Sequence, residues 1–557
     1  MPETITGVGV SGGFGVGPVV RVALPIRPPR GEAVLADPAE AEARIRGAFD
    51  AAAADLDALA ENADGEARGV LAANAMMARD PALFTAAQAE LEKRKGPATA
   101  IADAIESVAA LFESMGEYFA DRASDIRGVG ARVVAAALGV PAPGIPMLRE
   151  PSVVVAHDLT PAETAGMDRT FVAGIVTERG GRTGHTAILA AQYGIPAIVQ
   201  AAGIMDVPEG TIVAVDGSRG EVTIDPSEEM RAAHVKRAAV RSALIEAVRG
   251  PGATADGHRI ALLLNIGDAA DVRLARETDC EGVGLFRTEF LYLAAQSAPS
   301  VERQAAAYRA VFSAFGSVVI RTLDAGADKP LAFATLGPED NPALGRRGLR
   351  LSMAMPELLE AQLQAIALAA AGEHADVKVM APMVATVEEA AWFSEKVAAA
   401  GLLRAGVMIE TPAAALRARD VLAEVDFGSL GTNDLAQYAM AADRTQGALS
   451  GLLDPWQPAV LDCVRVACEG AGKAGKPLGV CGESAGDPLM ALVLVGLGVT
   501  SLSMAPGLLP AVRASIAMHT LDECGRIAQA ALAESTASSA REAALALARP
   551  ELAALDA

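Results

Sequence analysis

With 557 residues, 52% of them hydrophobic, the chain is long enough for several domains and apolar enough to give each a core, which excludes a disordered polymer. A formal net charge of −22 with no runs of Lys and Arg argues against a nucleic-acid partner, so any anionic substrate needs locally placed arginines. Five scattered cysteines, Cys280, Cys463, Cys468, Cys481 and Cys524, suit neither a disulfide framework nor a zinc site and point to a reducing cytoplasm.

In chain order, residues 1–24 read as short Val-rich strands punctuated by glycines. The first basic residue is Arg21 and no signal-like apolar core precedes it, while no later stretch approaches the ~20 apolar residues of a membrane span. Residues 25–138 change character: Ala, Leu, Glu and Arg recur at helical spacing over 41–59, 66–78, 81–95 and 99–119, which predicts four or so helices in a bundle. Asp80-Pro81 and Gly96-Pro97 break the run. Strand patterns resume at 152–156, 170–177, 197–199, 211–216 and 221–225, so the bundle reads as an insertion in a small α/β unit made of 1–24 and 139–225. A charged helical pattern within 226–255, stopped by Gly250-Pro251-Gly252, reads as a linker helix and a hinge.

Residues 256–540 alternate strand and helix. Strands are expected at 260–265, 282–286, 318–322, 377–382, 404–409, 427–431, 478–480 and 500–503, which fits a (β/α)8 barrel. Residues 541–557 read as an Ala-rich helical tail of low information.

One turn in the α/β unit stands out, Gly180-Gly181-Arg182-Thr183-Gly184-His185-Thr186-Ala187-Ile188. Glycines permit a tight turn that delivers His185 to the start of an apolar, helix-compatible run, where unpaired backbone N–H groups suit a phosphoryl group. Neutral imidazole is nucleophilic near pH 7. On local pattern alone, a phosphoryl carrier and an ordinary strand–turn–helix junction both fit.

In a barrel of this kind, chemistry sits at the C-terminal ends of the strands. Those ends carry Arg287-Thr288-Glu289, Arg321-Thr322-Leu323-Asp324, Glu410-Thr411-Pro412, Gly431-Thr432-Asn433-Asp434 and Cys481-Gly482-Glu483. Charged groups at the ends of apolar strands are costly unless paired or facing a ligand, so their recurrence marks a site. Arg287 and Arg321, with Arg347 and Arg444 as further candidates, suit a phosphate and a carboxylate, while Glu410 and Asp434 are hard oxygen ligands of the kind Mg2+ uses. A small, doubly anionic phosphoester fits this set. Cys481 reads either as a small buried hydrophobe or as a proton donor to a carbanion.

These segments, with Asn-Pro-Ala-Leu-Gly-Arg-Arg, Met-Ile-Glu-Thr-Pro-Ala-Ala, Gly-Thr-Asn-Asp-Leu and Gly-Val-Cys-Gly-Glu in the same order, resemble enzyme I of the bacterial sugar phosphotransferase system over nearly the whole chain. The resemblance implies that His185 is phosphorylated by phosphoenolpyruvate, with Thr164 near it on the α/β unit. Arg287, Arg321, Arg347 and Arg444 would contact phosphoenolpyruvate, Asn433 its phosphate, Glu410 and Asp434 would ligate Mg2+, and Cys481 would protonate the enolate to pyruvate. It further implies that the inserted helices dock the phosphocarrier HPr, that the barrel forms a homodimer, and that the hinge lets His185 visit both partners. A nitrogen-branch or other specialised paralogue would keep the chemistry and change the HPr-like acceptor. Pyruvate-phosphate dikinases and phosphoenolpyruvate synthases share the swivelling histidine and the barrel. They need a nucleotide-binding domain, for which the chain has neither the length nor a Gly-x-x-x-x-Gly-Lys-[Ser/Thr] loop. A catalytically idle paralogue would have no reason to keep His185, Glu410, Asp434 and Cys481 together. Departures from the family pattern are Gly184 in place of Ser, Ala191 in place of Arg, Asn74 in place of His and Ala327 in place of Gly.

Overall fold

A computed structural model describes the chain apart from residues 1–2, 23–26, 63–64, 115–116, 146–147, 160–166, 168, 182–185, 188–189, 191–192, 268, 294, 296, 327–330, 332, 335–336, 338, 445 and 556–557. The N-terminal half holds eight strands: β1 (Thr4–Thr6), β2 (Val8–Ser11), β3 (Phe14–Arg21), β4 (Ser152–Ala156), β5 (Val172–Thr177), β6 (Ala197–Val199), β7 (Ile212–Asp216) and β8 (Glu221–Ile224). They lie in the order β1-β8-β7-β3-β4-β5-β6-β2. The central β3, β4 and β5 run parallel, and β7 joins β3 antiparallel. Val19, Val153, Val155, Ile198 and Val215 form the core on one side of this sheet, as expected for Val- and Ile-rich strands buried on both faces.

Between β3 and β4 run five helices, α1 (Pro38–Asn62), α2 (Gly65–Ala78), α3 (Pro81–Leu91), α4 (Pro97–Ser114) and α5 (Glu117–Leu138). They share a core of their own around Ile45, Leu56, Leu71, Ile101 and Val133. The breaks at Asp80 and Gly96 have physical causes. Asp80 caps α3 by accepting from the Ala82 N–H at 2.8 Å, with Pro81 in the first turn. Glu32 accepts from the Ala98 and Thr99 N–H groups at the start of α4, at 3.0 and 2.7 Å. Where one helix was expected over 99–119, the described residues form α4 up to Ser114 and α5 from Glu117. Among the described residues the bundle holds five helices, where four or so were expected.

The linker helix α6 (Glu228–Glu246) is capped by Ser227, whose hydroxyl accepts from the Met230 N–H at 3.2 Å. It packs on helices Leu509–Met518 and Leu552–Leu555. Beyond it, β9 (Ala261–Ile266), β10 (Val283–Phe286), β11 (Ser317–Arg321), β12 (Asp376–Ala381), β13 (Ala405–Ile409), β14 (Phe427–Leu430), β15 (Leu478–Val480) and β16 (Ser501–Met504) close into a parallel barrel, β16 pairing with β9. All eight fall within one or two residues of the expected strands. The multidomain α/β architecture expected from the sequence is thus the observed one.

Helix Ala537–Leu547 crosses the expected start of the tail, and Ala540, Ala544, Leu552 and Leu555 are buried against the barrel core. Fully buried His519 ties this segment down: Nδ1 meets the Ser515 carbonyl at 2.8 Å and Nε2 meets the Arg549 N–H at 3.0 Å. A carbonyl can only accept and an N–H only donate, so the ring carries its proton on Nδ1 and is neutral. Among the described residues, no helix is long and apolar enough to cross a membrane.

Candidate active site

The C-terminal mouth of the barrel opens into a cavity of about 1040 Å3 whose opposite wall is the glycine-rich edge of the N-terminal sheet, including Gly9, Gly12, Gly181 and Ser218. Arg287, Arg321, Glu410, Asn433, Asp434 and Arg444 all line it from the barrel side. The apolar strands stop at this rim, and the polar residues that follow them turn into the cavity.

Two buried arginines organise the site. Arg321, at the end of β11, gives Nη2 to Glu289 Oε1 at 3.0 Å and places Nη1 3.3 Å from Asp324 Oδ2. Its Nε is buried with no hydrogen-bond partner among the described residues. Arg347, fully buried, gives Nε and Nη2 to the two oxygens of Asp324, both at 2.9 Å. Its other edge meets Asp434, Nη1 to Oδ1 at 2.8 Å and Nη2 to Oδ2 at 3.2 Å. Burial works against both guanidinium charges, but the carboxylates of Glu289 and Asp324 around Arg321, and of Asp324 and Asp434 around Arg347, outweigh it and keep both protonated. Arg444 stands farther out, 3.6 Å from Asp434 Oδ1. Arg287 follows β10 with its side chain exposed to the cavity.

Glu410, next after β13, is completely buried. Its Oε1 accepts from the Met383 N–H at 2.6 Å, and Met383 adopts a left-handed φ of 60°, uncommon for a residue with a side chain and typical of strain kept at a functional site. Oε2 is buried with no hydrogen-bond partner among the described residues. Gly431 makes the room: a Cβ there would lie 2.6 Å from Glu410 Oε2. A carboxylate oxygen so placed is costly unless a cation or proton meets it. Among the described residues no group of three or more His, Cys, Asp or Glu could hold a metal.

Without a cation, burial, then Asp434 and Asp324, push the Glu410 carboxyl from an ordinary 4.5 up to about 8. The unfolded chain ionises first, so this group's contribution to stability is present below pH 4.5 and is lost as pH rises toward about 8. We expect Glu410→Gln to flatten the decline in thermal stability of the metal-free protein over that window. Unfolding temperatures of both proteins in chelator, measured across the window, check this; parallel curves would count against it.

Cys481 follows β15 and is buried among Leu285, Val319, Met380, Met408 and Phe427 inside the barrel mouth. Its N–H donates to the Leu430 carbonyl at 3.0 Å, and its thiol faces the same oxygen at 3.7 Å. Burial pushes the thiol up to about 11, against the Ser429 hydrogen bond, so it holds its proton throughout the neutral range. Asn433, in the first turn of helix Thr432–Ala439, accepts from the Glu483 N–H at 3.1 Å and so ties the loops after β14 and β15 together.

His185 and Thr164 lie outside the described residues, as do Gly184, Ala191 and Ala327. The flanks of the histidine turn are held from both sides. Gly180 takes a left-handed φ of 99° and its carbonyl accepts from Gln200 Nε2 at 2.9 Å. Thr186 is buried, its Oγ1 3.4 Å from Asp158 Oδ1. Gly181 itself lines the same cavity that the arginines line.

The structure thus gathers Arg321, Arg347, Glu410 and Asp434 into one buried cluster, with Arg287, Arg444, Asn433 and Cys481 at its margin. Two members received no role from the sequence: Glu289 and Asp324 were visible only as motif neighbours, yet they hold the arginines. The available signal was physical, since a buried guanidinium demands a carboxylate and both stand within three residues of a strand-end arginine.

Three family profiles cover most of the chain: the PEP-binding domain of PEP-utilising enzymes over residues 243–521, their mobile domain over 148–220 and their N-terminal domain over 6–122. The first of these matches spans the barrel strands, the second β4 to β7, and the third β2 and β3 with α1 to α4. A phosphoenolpyruvate-protein phosphotransferase of Streptomyces coelicolor is 52% identical over 98% of this chain and 99% of its own length. Proteins of the same name from Bacillus sp. (strain S) and Geobacillus stearothermophilus are each 37% identical over 96% of both chains. The chain belongs to the phosphoenolpyruvate-protein phosphotransferase family, as its ordered motifs implied.

Proposed function

We propose that this enzyme transfers the phosphoryl group of phosphoenolpyruvate to His185, releases pyruvate, and passes the group on to the phosphocarrier protein HPr. The observation that carries this reading is a single cavity joining the arginines and the unpartnered Glu410 oxygen of the barrel to Gly181 of the histidine turn. Arg287, Arg321, Arg347 and Arg444 supply positive charge for a phosphate and a carboxylate, and Asn433 a polar contact to the phosphate. Glu410 and Asp434 are the residues that would hold Mg2+, which when bound supplies neutralisation of the substrate's oxygens.

Phosphoryl transfer depends mainly on in-line positioning and charge neutralisation. A nitrogen of the His185 imidazole forms the new bond to phosphorus, the bridging P–O bond breaks, and its electron pair remains on the enolate. Cys481 then gives the proton of its thiol to the enolate carbon, producing pyruvate, and recovers a proton from solvent. Thr164 would support the phosphorylated ring. Helices α1–α5 would dock HPr, the barrel would form a homodimer, and the enzyme would work in the cytoplasm. Asn74 is buried, only 5% exposed, so that departure changes the inside of the bundle more than the face it offers a carrier.

The test is incubation of the full chain with phosphoenolpyruvate labelled in the phosphoryl group and Mg2+, followed by addition of HPr. Acid-labile label on the chain, chased onto HPr with matching pyruvate release, is the expected result. Absence of label would sink the reading, and label that HPr cannot remove would point to another acceptor.

A further inference from the structure

We propose that Asp324 is a positioning residue of the phosphoenolpyruvate site, fixing the aim of Arg347 and Arg321 without itself touching substrate. The inference rests on the phosphoenolpyruvate reading and adds to it a residue to which that reading gives no role. Asp324 is wholly buried, and its own placement is fixed from behind. Its N–H donates to Glu289 Oε1 at 3.0 Å, and the neighbouring Leu323 N–H donates to Gln362 Oε1 at 2.9 Å. Gln362 also donates to Thr288 Oγ1 at 3.0 Å, and that hydroxyl donates to the Arg321 carbonyl at 3.0 Å. The loop after β11 is thereby pinned to the loop after β10 and to helix Pro356–Ala370.

A guanidinium has five N–H donors in a fixed plane. For Arg347 they are all committed: Nε and one Nη2 donor to Asp324, the other Nη2 donor and one Nη1 donor to Asp434, and the last toward Tyr438 Oη at 3.4 Å. Asp324 holds the inner edge at two points, which leaves the outer edge directed at Asp434 on the cavity wall. The same carboxylate sits 3.3 Å from Arg321 Nη1, so one anion sets the spacing of both guanidiniums. Without its charge, the two-point contact along the inner edge of Arg347 would be lost and the guanidinium would no longer be aimed at the anion site.

The sign of the effect separates this role from others. Simple electrostatics says that removing a negative charge beside an anion site tightens anion binding. A purely structural role lowers the unfolding temperature and leaves substrate affinity alone. Positioning predicts weaker binding in a folded protein. The experiment is phosphoryl exchange between phosphoenolpyruvate and pyruvate, on the full chain at one saturating Mg2+ concentration, for Asp324→Asn and for the same change in an Arg347→Lys background. We expect KM for phosphoenolpyruvate to rise roughly tenfold or more in Asp324→Asn, as for loss of one partner of a buried charge pair, with a smaller change in kcat. In the Arg347→Lys background, where two-point contact is already lost, the further rise should be less than about twofold. An unchanged or lower KM, or the same rise in both backgrounds, would overturn the inference. Should Asp324→Asn fail to fold, Glu289→Gln loosens both the Asp324 N–H and Arg321 Nη2, and an unchanged KM there would overturn it equally. Absence of exchange in the unsubstituted chain would instead sink the phosphoenolpyruvate reading itself.

Discussion

Replacing His185 with Ala should abolish the acid-labile phosphoryl label and depress phosphoenolpyruvate–pyruvate exchange by roughly ten-thousand-fold or more, the scale on which enzymes lose rate when a covalent nucleophile is removed. The arginines hold their protons against burial because carboxylates surround them, and Cys481 keeps its thiol protonated up to about pH 11, so neither is a competing nucleophile at neutral pH. Binding of phosphoenolpyruvate to His185→Ala should be nearly unchanged, because the histidine turn belongs to the sheet and the anion-binding groups belong to the barrel. Equilibrium binding and label uptake measured on one preparation separate the two effects. Acid-labile label that persists on His185→Ala would refute the assignment.

The parts of the fold that were legible in the sequence are those written in hydrophobic periodicity. A parallel barrel strand is buried on both faces and reads as a short apolar run, which is why Gly282–Phe286 was expected where Val283–Phe286 is found. The division into α4 and α5 was not legible, because Ala-rich helical spacing continues through both. The C-terminal helices looked uninformative for a related reason. They bury Ala540 and Ala544, whose small side chains pack closely yet leave little signature in a hydrophobic pattern.

The site divides along the same line. Arg321, Glu410 and Asp434 were legible because a charge ending an apolar strand must have a purpose. Their partnerships were not. Arg347 reaches Asp324 and Asp434 from a long connection between β11 and β12, and sequence spacing says nothing about where such a connection folds back. The unpartnered oxygen of Glu410 depends on Gly431, one strand away, which in the sequence is merely the glycine before Thr432-Asn433-Asp434.

Cys481→Ala should slow pyruvate formation by about a hundred- to ten-thousand-fold, the usual worth of a positioned general acid, while Mg2+-dependent phosphoenolpyruvate binding survives nearly intact. The thiol sits among Leu285, Val319, Met380, Met408 and Phe427 with 2% exposure, where a charged thiolate is disfavoured and a proton is retained. A donor of this kind stays armed across the neutral range, so the wild-type rate should show no decline from Cys481 ionisation until the pH nears about 11. Deleting one sulfur atom leaves too small a void to disturb the neighbouring arginines. A role in packing and a role in proton donation therefore predict different results: packing would cost binding and stability, proton donation would cost turnover alone. Calorimetry with phosphoenolpyruvate and Mg2+ beside a pyruvate-release assay distinguishes them. Lost binding in Cys481→Ala would make the cysteine a structural hydrophobe and leave the enolate to be protonated by solvent.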